Sequence, residues 1–205
     1  MLIRKEGIGL LKKRLSEQLK FIIEIDKLKA VWRQSYLTDG SRKENSAEHS
    51  WHLALMVCVL QEYVPEEINL LHVLKMVLIH DLVEIDAGDT YCYDLAGRAQ
   101  QAEKERKAAA RIFNILPADQ AQKLTALWLE FETGVTPEAR YAAALDRLQP
   151  LLLNYASQGK SWQEHQIEKQ QVLERNALIK DSSPVLWDYA WQLFQEAVEK
   201  GYLTE

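Results

Sequence analysis

Between residues 8 and 37 apolar side chains recur at helical spacing, at Leu10, Leu11, Leu15, Leu19, Ile22, Ile23, Leu28, Val31 and Trp32, with charge between them. That period predicts one amphipathic helix or two. The cluster Thr38-Asp39-Gly40-Ser41 ends it, since Asp-Gly followed by Ser favours a turn. Asn45 with Glu48 three residues on fits a capping box, opening a helix to about residue 63. Pro65 precedes a further helix over roughly 66–86, whose first turn carries Glu66 and Glu67 at the favourable dipole end. Ala87-Gly88-Asp89 closes it, and 90–98 reads as a loop with Tyr91 and Tyr93. The pattern then predicts helices over 99–115, 118–132 and 137–156. Ser161-Trp162-Gln163-Glu164 resembles a capping box for a helix to about residue 180, and Asp181-Ser182-Ser183-Pro184 caps a last one to about residue 199.

No period-two alternation is sustained, and eight glycines and five prolines are few, so no strand is predicted. The fold class expected is all-α, a single-domain helical bundle over 1–205. Its length of 205 residues, with 47% apolar and 27% charged residues, suits one sizeable globular core. A net charge of −5 without a basic block argues against a nucleic-acid polymer as partner. The two cysteines, Cys58 and Cys92, form no CxxC pair, which points to a reducing cytoplasm rather than a disulfide scaffold. Cys58, in an apolar helical run, is expected in the core, as are Trp51, Trp128, Trp162, Trp187 and Trp191. No run approaches membrane-spanning length, and the first residues are too polar for a secretory leader.

One stretch breaks the apolar pattern. Residues 76–90, MVLIHDLVEIDAGDT, place His80, Asp81, Glu84, Asp86 and Asp89 in an otherwise buried-looking run. Ionisable groups so dense in such a run need compensation, and a bound metal ion would supply it. His80 and Glu84 are four apart and Asp81 and Glu84 three apart, so all three share an edge of one helix face. His49, with His52 one turn on, and Asp146, after three alanines and a leucine, are further candidate ligands. Pro150 stands four residues after Asp146 and cannot donate to its carbonyl, which predicts a helix irregularity there. Singly, each histidine reads equally as a satisfied core residue, and Asp146 as a partner of Arg147 or Arg140.

The order His49 … His80-Asp81 … Asp146 resembles the HD-domain superfamily of metal-dependent phosphohydrolases, whose ligands run H…HD…D. Arg42-Lys43-Glu44-Asn45-Ser46-Ala47-Glu48-His49 is similar to the R-x-E-N/S-x-x-E/D-H segment of its YfbR-like 5′-deoxynucleotidase branch. His80-Asp81-Leu-Val-Glu84-Ile-Asp86-Ala-Gly88-Asp89 resembles that branch's H-D-x-x-E-x-x-x-G-D. The likeness covers roughly 20–155, with C-terminal helices from about 160 packing on it. It implies that His49, His80, Asp81 and Asp146 hold one divalent cation (Mn, Co, Zn, Fe or Mg), since mixed imidazole and carboxylate ligands disfavour Ca²⁺. It implies Glu84 and Asp89 as the catalytic carboxylates and a nucleotide as substrate. Arg33 and Arg42 are candidates for the phosphate, because a guanidinium fork matches its oxygens. Trp32 is the candidate for the family's neighbouring tryptophan, although Trp32-Arg33 stands in reversed order. The activity expected is phosphate release from (deoxy)ribonucleoside 5′-monophosphates. Triphosphohydrolase, cyclic-nucleotide diesterase and catalytically silent metal-binding readings stay open. Trp187 and Trp191, four apart, suit either a cover for the pocket or a homodimer surface.

Overall fold

The computed structural model describes residues 2–204, and the side chains of all of these but 2–8 and 95–99. Helix α1 (Leu2–Ile25) passes into a 3-10 turn over Asp26–Ala30. At Val31 the backbone becomes extended, and strand β1 (Trp32–Tyr36) pairs antiparallel with β2 (Lys43–Asn45), Trp32 opposite Asn45 and Tyr36 opposite Lys43. The helix expected to reach residue 37 and the expected absence of strands are both corrected here. The cause is the turn: Ser41 N–H donates to Asp39 Oδ1 at 2.9 Å, Gly40 adopts φ +67°, and Leu37 N–H closes onto Arg42 O at 2.9 Å. The chain therefore doubles back and pairs instead of winding.

Helix α2 (Ser46–Leu60) starts at the expected capping box, with Glu48 N–H donating to Asn45 Oδ1 at 3.0 Å and Asn45 N–H to Glu48 Oε2 at 3.1 Å. Helix α3 (Leu70–Ile79) begins four residues later than expected, because Asn69 caps it through the His72 N–H. It ends at His80. A 3-10 stretch over His80–Val83 and a short α4 (Glu84–Ala87) follow, and Gly88 at φ +76° closes the run. The single helix expected over 66–86 is thus three pieces. Helices α5 (Leu95–Phe113) and α6 (Ala118–Thr133) come next, the latter stopped by Gly134 in the left-handed region. Helix α7 (Pro137–Ala156), capped by Thr136, continues unbroken through Pro150. The helix expected over 161–180 divides into α8 (Lys160–Glu164), α9 (Lys169–Asn176) and α10 (Leu178–Ser182), with Gln166 at φ +52° between the first two. Ser183 caps α11 (Pro184–Glu199).

Helix α7 is the centre of the larger core, burying Ala139, Tyr141, Ala142, Leu145 and Leu148 against α2, α3 and the C-terminal helices, which add Trp162, Ile179 and Phe194. A second cluster joins Phe21 and Leu28 to Leu82, Ile112, Phe113 and Trp128. Along the chain His80 and Asp81 stand between Val77 of the first cluster and Leu82 of the second. Cys58 is exposed rather than buried, and Trp51 and Trp191 are 62% and 42% exposed. These positions fall on outward helix faces that apolar periodicity alone does not distinguish from inward ones. Leu11, Leu15, Leu19 and Ile22 of α1 are likewise exposed. Among the described residues no helix is long and apolar enough to cross a membrane.

Candidate metal centre

Three elements deliver the four expected ligands. The α2 capping box fixes the first turn that carries His49, the α3 terminus carries His80-Asp81, and the middle of α7 carries Asp146. All four are buried, and their polar atoms converge. His49 Nε2 lies 3.0 Å from Asp146 Oδ1 and 3.9 Å from Asp81 Oδ2, while His80 Nε2 lies 3.1 Å from Asp81 Oδ1 and 3.6 Å from Asp146 Oδ1. Metal–ligand bonds of about 2.0–2.2 Å give neighbouring ligand atoms separations of about 3.0–3.5 Å, which this cluster approaches.

The tautomers make the case sharper. His80 Nδ1 is 2.9 Å from Val77 O, and a carbonyl can only accept, so Nδ1 carries the proton. Gln149 Nε2 donates to Glu44 Oε2 at 2.9 Å, which turns Gln149 Oε1 toward His49 Nδ1, also at 2.9 Å. His49 Nδ1 therefore carries its proton too. Two imidazole lone pairs then face two carboxylates across a buried space, and His80 Nε2 has no hydrogen-bond partner. Electron-rich atoms at 3.0–3.6 Å repel unless a cation sits among them. The residues fit a divalent metal.

The charge balance of the chain alone says the same. Burial opposes a proton on His80, but Asp81 and Asp146 outweigh it and raise the group from 6.5 to about 9. The metal-free site thus holds a proton where a metal would bind. Burial and the Arg33 charge lower His49 instead, keeping it neutral. Burial also works against an ionised Asp146, yet Arg147, His49 and His80 prevail and hold it well below the usual carboxylate range. The Arg147 guanidinium bonds Asp146 Oδ2, leaving Oδ1 for the centre.

Glu84 and Asp89 line one cavity of about 340 Å³ with His80, Asp81, Asp146 and Arg33. Glu84 Oε2 accepts a 2.6 Å bond from Ser46 Oγ. Burial and the neighbouring Asp81 charge push Glu84 well above the ordinary range, and burial, with Asp81, raises Asp89 despite Arg33. Arg33 donates to Asp81 Oδ2 at 2.9 Å and lies 3.9 Å from Glu84 Oε1. Burial disfavours its charge, but Asp81 and Glu84 raise its pKa further still.

Arg42 and Trp32 are not brought to this cavity. The Arg42 fork is taken by Glu48, at 2.8 and 2.6 Å, and lies over the half-exposed Trp32 ring at 5.9 Å. Sequence reasoning missed Gln149, which is completely buried and joins His49 to Glu44 and to His52 Nδ1 (3.2 Å). Burial pushes Glu44 up to about 7, with Arg33 opposing. His52 therefore supports the centre from behind. His72 pairs with Glu130 at 2.7 Å, and His165 reaches Gln34 at 3.2 Å.

Comparisons with known proteins give the chain its family. A bovine 5′-deoxynucleotidase, HDDC2, is 28% identical over 135 residues, covering 65% of this chain and 64% of that protein. The chain therefore spans less than two thirds of that relative's length. The 5′-deoxynucleotidase HDDC2 of Dictyostelium discoideum is 28% identical over 166 residues, covering 78% and 86%. The crystal structure of a "predicted metal-dependent phosphohydrolase" from Magnetospirillum magnetotacticum superposes with a TM-score of 0.90 at 50% identity, covering 94% of this chain and 96% of that one. A conserved hypothetical protein of Pyrococcus furiosus, 26% identical, superposes with a TM-score of 0.53 over 68% of this chain and 83% of its own. Residues 25–187, from the last residue of α1 into α11, match the HD domain model, and the chain belongs to the HD domain family.

Proposed function

We propose that the chain is a metal-dependent phosphomonoesterase that releases orthophosphate from (deoxy)ribonucleoside 5′-monophosphates. One observation carries the reading: two imidazole lone pairs and two carboxylates converge, with two further buried carboxyl groups, Glu84 and Asp89, both raised by burial, on the same cavity. The relatives named as 5′-deoxynucleotidases and the crystal structure described as a metal-dependent phosphohydrolase support the same class. In this reading His49, His80, Asp81 and Asp146 hold one divalent cation, which when bound supplies Lewis acidity at a phosphate oxygen and acidifies water. One of Glu84 and Asp89 takes the proton of the attacking water as the new P–O bond forms. The other gives its proton to the leaving 5′-oxygen as the ester bond breaks, a task that a carboxyl raised by burial can perform near neutrality. Arg33, already held by Asp81, meets the phosphate. Arg42 and Trp32, outside the cavity, take no part.

The setting proposed is cytoplasmic and the assembly a homodimer, the latter supported by the exposed leucines of α1 and by exposed Trp51 and Leu55 of α2, apolar side chains that a second copy would cover. A panel of nucleotides assayed with Mn²⁺ or Co²⁺ tests the activity. Orthophosphate from deoxynucleoside monophosphates is expected, lost in a folded Glu84→Ala variant. Pyrophosphate or triphosphate as the product, or unchanged turnover by Glu84→Ala, overturns the assignment.

A further inference from the structure

The cavity has a chemically mixed lining. Six carboxylates line it, Asp81, Glu84, Asp89, Glu105, Glu132 and Asp146. Three guanidinium groups line it. Arg33 is committed to Asp81, and Arg147 to Asp146. Arg175, near the end of α9, has no carboxylate partner among the described residues. Its charge favours the ionised forms of the neighbouring Cys92 and Tyr93, both on the cavity wall. Cys92 also senses Arg147, Arg33 and Asp146, and Arg175 lines the same cavity as the centre.

Aromatic and amide groups line the cavity with it. Tyr91 and Tyr93 meet edge to face at 5.3 Å, and Trp162 lies beside them on the lining. Asn154 and Asn176 are buried there. Each gives its amide N–H to a backbone carbonyl one turn back, at 2.9 Å to Pro150 O and 2.7 Å to Val172 O, and each is left with an unpartnered carbonyl oxygen. An uncommitted guanidinium in a carboxylate-rich cavity would normally collapse onto a carboxylate. This one lines the cavity from α9 with no carboxylate bonded to it among the described residues. Aromatic faces, a planar cationic donor and amide acceptors together suit a flat heteroaromatic ring with a polar edge.

Resting on the phosphomonoesterase reading, we infer that Arg175 binds the base of the nucleotide, in a subsite to which the C-terminal third contributes, while the phosphate lies at the metal centre. The subsite makes turnover depend on a nucleobase and not only on a sugar phosphate. Bonds to a charged donor are worth about 1.5–3 kcal/mol, so Arg175→Ala is expected to lower kcat/KM for a deoxynucleoside monophosphate, relative to 2-deoxyribose 5-phosphate, by about tenfold to a hundredfold. Arg175→Lys, which keeps the charge but not the fork, recovers only part of that ratio. Equal losses on both substrates would place Arg175 at the phosphate, and an unchanged ratio would give it no role; either result overturns the inference. Calorimetric binding of the free deoxynucleoside separates this claim from the activity itself. Weaker binding by Arg175→Ala, at unchanged metal content and melting temperature, supports the subsite even if no phosphoester is turned over. Equal binding by variant and wild type, or no binding by wild type, rejects it.

Discussion

Gln149→Leu is the substitution from which the geometry of the centre draws its most specific consequence. The amide is completely buried and makes three contacts, accepting from His49 Nδ1 at 2.9 Å and donating to Glu44 Oε2 at 2.9 Å and His52 Nδ1 at 3.2 Å. Leucine fills much of the space but strands all three groups. Each buried polar group left unmatched costs about 1–3 kcal/mol, and with some rearrangement of Glu44 and His52 the net loss of stability is about 3 kcal/mol. In a chain of this size that lowers the melting temperature by roughly 6–12 °C. The effect on metal binding is separate. Without an acceptor at Nδ1, His49 can move its proton to Nε2, the atom that faces Asp146, and losing such a support weakens metal affinity about 10–100-fold. Competition against a chromogenic chelator measures that affinity, and nitrogen NMR of the imidazole reports the tautomer. Gln149→Glu keeps an acceptor for His49 while crowding Glu44, so it loses stability but holds metal better than the leucine variant. Wild-type metal affinity in Gln149→Leu, or equal losses in both variants, would refute the reasoning.

Glu84→Gln and Asp89→Asn should each lower kcat about 10²–10⁴-fold and leave the metal content, measured by elemental analysis, as in wild type. Metal-free protein should lose stability at high pH. His80 stands at about 9 against an ordinary 6.5, so its proton stabilises the fold fully below about 6.5 and the contribution disappears as pH rises through about 9, a loss of roughly 3 kcal/mol. Metal displaces that proton, so apparent affinity should rise about tenfold per pH unit across the same window; a flat profile in chelated and titrated samples would contradict it. Gly159→Ala forces a Cβ to 2.1 Å from Tyr202 O at a φ of +72°. Thermal melts should show at least about 2 kcal/mol of destabilisation.

What the sequence reveals depends on how far apart the interacting groups are. The Asn45–Glu48 capping box and the Ser183 cap are local, and the chain shows them directly. Asp146 is legible because a carboxylate among alanines needs a partner. The hairpin is not, since β1 has five residues and β2 three, too short to display alternation, and Leu28, Val31 and Trp32 continue a helical period into it. Outward and inward apolar faces of α2 look alike in the sequence, hence the exposed Trp51 and Cys58. Gln149 is an ordinary neutral residue whose meaning comes from His49 and Glu44, 100 and 105 positions away. Arg33 and Arg42 have the same chemistry and lie nine residues apart. Only the hairpin register shows that one turns inward to Asp81 while Glu48 holds the other outside.

The central claim is that His49, His80, Asp81 and Asp146 hold a divalent cation at which a nucleotide phosphate reacts. Anomalous diffraction from crystals of Glu84→Gln soaked with Mn²⁺ and a deoxynucleoside monophosphate tests it most directly. The account predicts one strong manganese peak between His49 Nε2, His80 Nε2, Asp81 and Asp146 Oδ1, with the phosphate against it. No peak there, or a peak whose ligands exclude both histidines, would contradict it.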